Sequence, residues 1–340
     1  MQRYLGATII EWLMLVWVIV SVPFYILLIR MLQKKKHDLV FSNPFFKLCV
    51  SLGVADLIYT FCQYPFHTWP QWGWLSWDFL FRHSWHPLAW FSRFFYTART
   101  WYIIHAQYMG VVILAVNRAS SVIWPLNEWS QTAVQRCYLL QWGLPALVVS
   151  PLATQPYNLT VDALGVTIPT MPPIFAVLFI FIAGILVGLL DNTIVSGLFI
   201  SIYISIRRHN ATLTGALSSQ EKASRKSGIR LAFMGFVLFL LMLINTLYLV
   251  FFVAATVLGY DPVMLTIFWN QWGMLFALIN PYLLIICSKP TREHFLRYIG
   301  LSDEEKEKAK KPNSFNNRSS RTVKNPSPSP NVDRIELASC

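Results

Sequence analysis

The sequence has few charged residues for its length. Asp, Glu, Lys and Arg make up 13% of 340 residues, whereas 55% of the residues are hydrophobic. A soluble chain cannot bury so much apolar surface, so this composition argues against soluble domains and indicates that the solvent is lipid. The net charge is +12. Because the basic residues lie mainly between apolar runs and in the tail, they indicate membrane topology rather than a nucleic-acid-binding surface.

Sequence motifs of enzymes and metal sites are also missing. The chain has no glycine-rich phosphate loop, no His-Glu-x-x-His and no Gly-x-Ser-x-Gly sequence, so nothing in it predicts an enzyme. Its five cysteines include no Cys-x-x-Cys pair, and we expect no disulfide framework, metal or cofactor. No internal repeat divides the chain into two similar halves, which weakens a transporter architecture.

Long apolar segments are abundant, and seven of them are near or above the ~20 residues that a membrane-spanning helix needs. The first is followed by Lys34-Lys35-Lys36 and lacks a basic stretch in front, so we interpret it as a membrane helix rather than a signal peptide. The sequence thus predicts an all-α protein with a seven-transmembrane helix bundle in residues 1–299 and a disordered cytoplasmic tail in residues 300–340. The seven segments lie at about 7–30, 44–66, 88–117, 137–157, 173–206, 230–258 and 263–287.

Lysine and arginine are distributed unevenly between the two sets of loops. Segments 30–47, 118–136 and 207–230 hold thirteen, against Arg3 and Arg82 in the amino terminus and the other loops. Because cytoplasmic loops carry the excess of basic residues, we expect the amino terminus outside and the tail inside. The sequence Asn158-Leu159-Thr160 agrees with this orientation, because it makes Asn158 an N-glycosylation acceptor in the second outer loop.

Several polar residues lie within the apolar segments, where an ionisable side chain costs about 2.5 kcal/mol or more and is therefore a functional candidate. Asp56 lies midway along the second segment, and Asn280 and Ser51 are its candidate partners. Alternatively, Asp56 is a purely structural carboxylate. Asn245 lies in the sixth segment. In the seventh, Pro281 frees a backbone carbonyl that Asn280 can satisfy, which predicts a hinge.

The outer half of the third segment carries the best candidates for ligand contacts. Arg99 and Tyr102 share one helical stripe, and His105 and Gln107 lie on the adjoining one. Arg99 suits an anionic or carbonyl-bearing small molecule, although its side chain could equally extend to the outer lipid headgroups. The tryptophan-rich loop 67–87 is either an aromatic belt at the headgroups or a lid over a ligand.

Several of these residues together resemble the G-protein-coupled receptors. They are Asp56 in the second segment, Asn117-Arg118 at the end of the third, Trp142 and Pro145 in the fourth, and Asn280-Pro281-Tyr282 in the seventh. More narrowly, residues 55–61, Asn117-Arg118 followed by Pro125 and Trp129, and residues 280–284 resemble the nematode serpentine chemoreceptors of the Srg superfamily, class Srv.

The resemblance implies roles for particular residues. Arg118 would face a G protein and change partner on activation, and Asp56 would belong to a central polar network. Asn280 and Pro281 would begin the Asn-Pro-x-x-Tyr motif of the seventh helix. Lys289 to Tyr298 would form a short amphipathic helix along the inner membrane face. The chain departs from the wider family because Asn117 replaces the acidic neighbour of Arg118, so we expect hydrogen bonds alone to hold the resting arginine.

Other departures concern the outer and sixth-helix motifs. Residues 158–172 contain no cysteine, so the familiar outer disulfide cannot form. The sixth segment has no proline, so the conformational switch that the resemblance implies for this helix is expected to use Asn245 with Tyr248.

The expected function is that of a chemosensory receptor in the plasma membrane, including that of a sensory cilium. A small odorant-like or pheromone-like ligand would bind in the outer half of the bundle and activate a heterotrimeric G protein at the inner face. The seventh segment would add Trp269, Asn270 and Gln271 to the ligand site. The alternatives are a transporter or a ligand-gated channel, and the channel requires an inverted topology that the loop charges oppose.

Overall fold

The structure is a computed structural model in which long helices predominate. Three of these helices are extended by π-helical turns, which lie at Tyr64–Thr68, Ala98–Ile103 and Ile180–Leu186, and a short α-helical stretch at Trp69–Gln71 follows the first of these turns. It describes residues 5–36, 38, 41–71, 94–96, 98–123, 129–153, 158–161, 167–170, 180–212, 219–260 and 263–301. The helices are α1 Leu5–Lys34, α2 Pro44–Gln63, α3 Ile104–Ile123, α4 Gln131–Ala153, α5 Val187–Thr212, α6 Ser219–Val257, α7 Val263–Cys287 and α8 Lys289–Tyr298.

Six helices in the described part of the chain are long and apolar enough to cross a membrane. These six are α1, α2, α3, α5, α6 and α7. The helix α4 is less apolar because it contains Gln131, Gln135, Arg136 and Gln141. It nevertheless packs against α2 and α3 and leaves Leu139 and Leu147 each 73% exposed, as a lipid-facing helix of the bundle would.

The helix α3 lies at the centre of the bundle. It contacts α2, α4, α5 and α6, whereas α1 contacts α2 and α7. Its buried residues therefore run almost continuously from Ile104 to Ala115, without the one-sided pattern of a surface helix. Side chains on α3 can consequently reach several other helices. This helix can therefore connect a site at the outer end of the bundle with a site at the inner end.

The start of α2 is specified by two adjacent residues. The side chain of Asn43 accepts a hydrogen bond of 2.9 Å from the backbone N–H of Phe45, and Pro44 occupies the first turn, where its missing N–H costs nothing. This cap fixes the rotation of α2 at the inner end. As a result, Phe45 and Phe46 are both buried there.

Two short strands form a hairpin in the segment predicted as the second outer loop. β1 (Asn158–Val161) pairs antiparallel with β2 (Thr167–Thr170), so that Asn158 lies opposite Thr170. The other regular elements among the described residues are helices, and the hairpin is a local addition to the predicted all-α bundle.

Contacts divide the chain into two units, Met1–Phe295 and Leu296–Cys340. The first contains α1 to α7 and most of α8, in which Thr291 and Phe295 are buried and Phe295 packs edge-to-face on Phe24. The short helix predicted after the seventh segment is therefore present. The predicted disordered tail lies outside the described residues beyond Leu301.

Candidate switch and ligand site

A polar network around Asp56 joins four helices in the middle of the bundle. The Asp56 carboxylate is 1% exposed and accepts hydrogen bonds from the Tyr25 hydroxyl at 2.6 Å and the Gln107 side-chain amide at 2.7 Å. The Asn280 amide lies 3.3 Å from the same carboxylate and donates to the Tyr25 oxygen at 2.8 Å. The predicted pairing of Asp56 with Asn280 is confirmed. Tyr25, Gln107 and Asn280 thus each give the carboxylate a donor, which offsets part of its burial cost.

A glycine allows α1 and α2 to approach closely enough for this network. A Cβ atom added at Gly53 would lie 2.9 Å from the Tyr25 ring and 3.1 Å from its hydroxyl. Any side chain there would push Tyr25 away from Asp56, so the glycine positions the tyrosine.

The prediction that Ser51 is a partner of Asp56 is wrong. The Ser51 hydroxyl donates to Gln141 Oε1 at 2.7 Å and accepts a hydrogen bond from the Trp142 indole at 3.1 Å. Ser51 lies five residues before Asp56, and this separation turns it toward α4. It therefore stabilises the contact between α2 and α4.

A second polar network joins α3, α5 and α6. The Asn245 amide donates to the Tyr108 hydroxyl, and the Tyr108 ring packs edge-to-face on Phe276 of α7 with centroids 5.9 Å apart. One residue further along α6, Thr246 accepts a hydrogen bond of 2.9 Å from Asn192 of α5. Asn245 faces the buried centre, whereas Tyr248, three residues further along α6, is half-buried, and the role of Tyr248 in a switch stays a prediction.

The inner end of α3 carries a buried arginine without an acidic partner. Arg118 is 8% exposed, and no carboxylate pairs with it in the part of the chain that the structure describes. Its guanidinium carbon lies 3.5 Å from the centroid of the Phe45 ring. The expectation that hydrogen bonds alone hold the arginine is therefore wrong, because the contact that the described residues make with its guanidinium is this cation–π contact. Asn117 is buried beside it, and its backbone carbonyl accepts a hydrogen bond from Ser120.

The predicted ligand residues of the third segment separate into different environments. Gln107 belongs to the Asp56 network, and the Tyr102 hydroxyl donates to the backbone carbonyl of Trp142 at 3.0 Å. His105 is buried, with its ring 6.4 Å from that of Tyr108. The backbone of Arg99 lies in the π-helical turn before α3, and its side chain lies outside the described part of the structure.

Of the predicted ligand residues of α7, Asn270 faces the outer end of α2. The Asn270 amide nitrogen lies 3.4 Å from His67 Nε2, and both residues are buried. The His67 ring also stacks on Tyr96 with centroids 6.1 Å apart. Trp269 and Gln271 are half-buried on either side of Asn270. Sequence reasoning assigned His67 to the first outer loop, whereas it belongs to the π-helical extension of α2.

Three residues of these networks were not assigned a role from the sequence. Tyr25 and Tyr108 were detectable only as hydroxyl-bearing side chains within apolar segments, and Phe45 had no signal that distinguished it from Phe46. Each gains its role from a residue on another helix, so local patterns could not identify them.

The bundle of membrane helices with a buried polar centre and an arginine at the inner end of its third helix agrees with the seven-helix receptor class that the sequence resembles. The chain belongs to the serpentine type 7TM GPCR chemoreceptor family Srv, whose model matches residues 14–301. It is 23% identical over 292 residues to Serpentine receptor class V-1 of Caenorhabditis elegans, covering 83% of this chain and 88% of that protein. The protein is therefore a multi-pass membrane protein of a receptor class and not an enzyme.

Proposed function

We propose that this receptor binds a small odorant-like or pheromone-like molecule in its outer half and activates a heterotrimeric G protein at its inner face. The observation that carries this proposal is the state of Arg118. A buried charge without a carboxylate partner destabilises a fold by several kcal/mol. An arginine held over Phe45 at 3.5 Å is stabilised only in part, which leaves it ready to exchange that ring for a better partner.

The described conformation corresponds to the resting state. Because Arg118 is 8% exposed, a G protein cannot contact it until the inner ends of the helices separate. At the inner ends, Ala119 of α3, Ile202 of α5 and Ala232 of α6 form a buried apolar cluster, against which Leu198 and Phe199 pack. Separation of these ends exposes the cluster, and the difference in ligand affinity between the two states must offset that cost.

Two adjacent residues of α3 connect the outer half to this inner contact. Tyr108 bonds Asn245 of α6, whereas Gln107 bonds Asp56 of α2. A displacement of α6 relative to α3 would thus change the contact between Tyr108 and Asn245 and leave the contact between Gln107 and Asp56 intact. In such a transition α6 moves, while the helices joined by the Asp56 network stay in place. The proposed hinge at Pro281 adjoins Asn280 of the Asp56 network.

The outer residues favour a small ligand with one or two hydrogen-bonding groups on an apolar body. Asn270 supplies a polar side chain next to Trp269 and Gln271 on α7, and Tyr102 and His105 supply polar side chains at the outer end of α3. We retain Arg99 as an anchor for an anionic group. Gln107 is assigned to the switch instead, because Asp56 already engages its amide.

A calcium-reporter screen against volatile and pheromone libraries tests the proposal in cells that express the receptor with a G protein. We expect at least one compound to give a response that Arg118→Ala abolishes at equal surface expression. Arg99→Leu should reduce responses to acidic compounds more than to neutral ones. Substrate uptake or an ion current in cells without G protein would contradict receptor function and favour a transporter or a channel.

A further inference from the structure

A groove of about 370 Å³ opens at the inner ends of α1, α2 and α4. None of its lining residues belongs to the Asp56 or Tyr108 network, and none is acidic. The floor is apolar and the rim is polar and basic. The floor consists of Leu32, Phe41, Phe46 and Val50, and the rim of Gln33, Lys36, Lys47, Gln131 and Tyr138.

The two lysines of the rim carry charge that no carboxylate neutralises within the described part of the chain. By contrast, Lys35 pairs with Asp38 at 3.4 Å, and Lys289 pairs with Glu293 at 3.6 Å. The Lys47 ammonium is held at the groove by a hydrogen bond of 2.8 Å to Gln131 Oε1. Two lysines on one groove suit a phosphate group, which accepts hydrogen bonds from both.

The apolar floor continues into the surface that faces the membrane. Leu32, Phe41 and Phe46 are buried beneath the groove, and Val50 is half-buried at its edge. One helical turn further along α2, Val54 is 37% exposed. A hydrocarbon chain can therefore pass from the groove along α2 without leaving apolar surroundings.

We propose that this groove binds one anionic phospholipid of the cytoplasmic leaflet. The phosphate lies between Lys36 and Lys47, Gln131 and Tyr138 contact the headgroup, and an acyl chain follows Val50. The positive charge of the rim complements an anionic headgroup. The apolar floor favours a lipid over a soluble phosphate, because it can contact an acyl chain. Loop charges place these helix ends at the cytoplasmic side, where anionic lipids are concentrated.

Basic residues at the cytoplasmic ends of the helices are also expected from membrane topology alone. The test therefore compares the two lysines of the groove with two basic residues elsewhere at the cytoplasmic side. Purified full-length receptor is mixed with phosphatidic acid or phosphatidylcholine in detergent, and bound lipids are counted by native mass spectrometry. Lys36→Gln/Lys47→Gln should weaken phosphatidic acid binding roughly thirtyfold, at ~1 kcal/mol for each lysine. Arg207→Gln/Arg208→Gln removes the same charge from α5 and should leave this binding unchanged. Equal losses in both double variants would overturn the proposal.

A second comparison separates the lipid from a free anion. Val50→Trp keeps both lysines but fills the edge of the floor, and it should weaken phosphatidic acid binding while thermal stability is retained. Displacement of phosphatidic acid by equimolar inorganic phosphate, or unchanged binding by Val50→Trp, would assign the groove to a soluble anion and overturn the proposal. The assay contains neither ligand nor G protein, so its outcome is independent of the proposed receptor mechanism.

Discussion

The contact between Arg118 and Phe45 leads to a quantitative prediction for Phe45→Leu. Leucine retains an apolar side chain at this buried position but has no aromatic face for the guanidinium, which lies 3.5 Å from the ring centroid. If this contact exists only in the resting state, its loss should favour the active state. We therefore expect Phe45→Leu to raise signalling in the absence of ligand.

The size of the effect follows from the burial of the pair. A desolvated cation–π contact contributes about 2 kcal/mol, which corresponds to roughly a thirtyfold change in an equilibrium constant. For a receptor that is about 1% active at rest, the active fraction would rise to about 20%. A change of this size is well within the range of a ligand-free signalling assay.

The assay is ligand-independent G-protein activation, normalised to receptor at the cell surface. Phe295→Leu is the matched control, because it removes a buried ring that packs on Phe24 rather than on Phe45 or Arg118. Its basal signalling should equal that of the wild type. Equal basal activity in Phe45→Leu and wild type would refute the reasoning, as would an equal increase in both variants.

Three further predictions concern stability and orientation. Asp56→Asn should lower the free energy of unfolding by about 2 kcal/mol in a thermal melt, because three donors lose a charged acceptor; an unchanged melting temperature would contradict this. Gly188→Val should cost about 1–3 kcal/mol, since a Cβ would lie 2.8 Å from Thr246 Oγ1, and adding Thr246→Ala should recover part of the loss. Glycosidase treatment should increase the gel mobility of the wild type but not of Asn158→Gln; a glycan-free wild type would argue against an outer β1.

The helices of the membrane bundle were predictable because their signal is local. A run of apolar residues long enough to cross a bilayer can be counted directly, and the pairing of Asp56 with Asn280 follows because both interrupt such runs. Tyr25 was not predictable, since α1 is apolar on all sides and nothing in it shows which side meets Asp56. Its role depends on the close approach that Gly53 permits.

The limits of the helices were harder to predict where π-helical turns occur. The second segment was expected to end at about residue 66, but a π-helical turn at Tyr64–Thr68 continues it to Gln71. Pro65 lies within that turn, and the wider turn accommodates a residue that cannot donate the usual helical hydrogen bond. The continuation brings His67 to Asn270, a contact that a loop assignment could not predict.

The most direct test of the central claim is nucleotide exchange on a purified heterotrimeric G protein by the reconstituted receptor. An activating compound from the screen should accelerate exchange with the wild type. Arg118→Ala should bind the same compound yet leave exchange at the rate of receptor-free membranes, because the partner of the G protein is missing. Unchanged acceleration by Arg118→Ala would contradict the claim that this buried arginine is the output of the receptor.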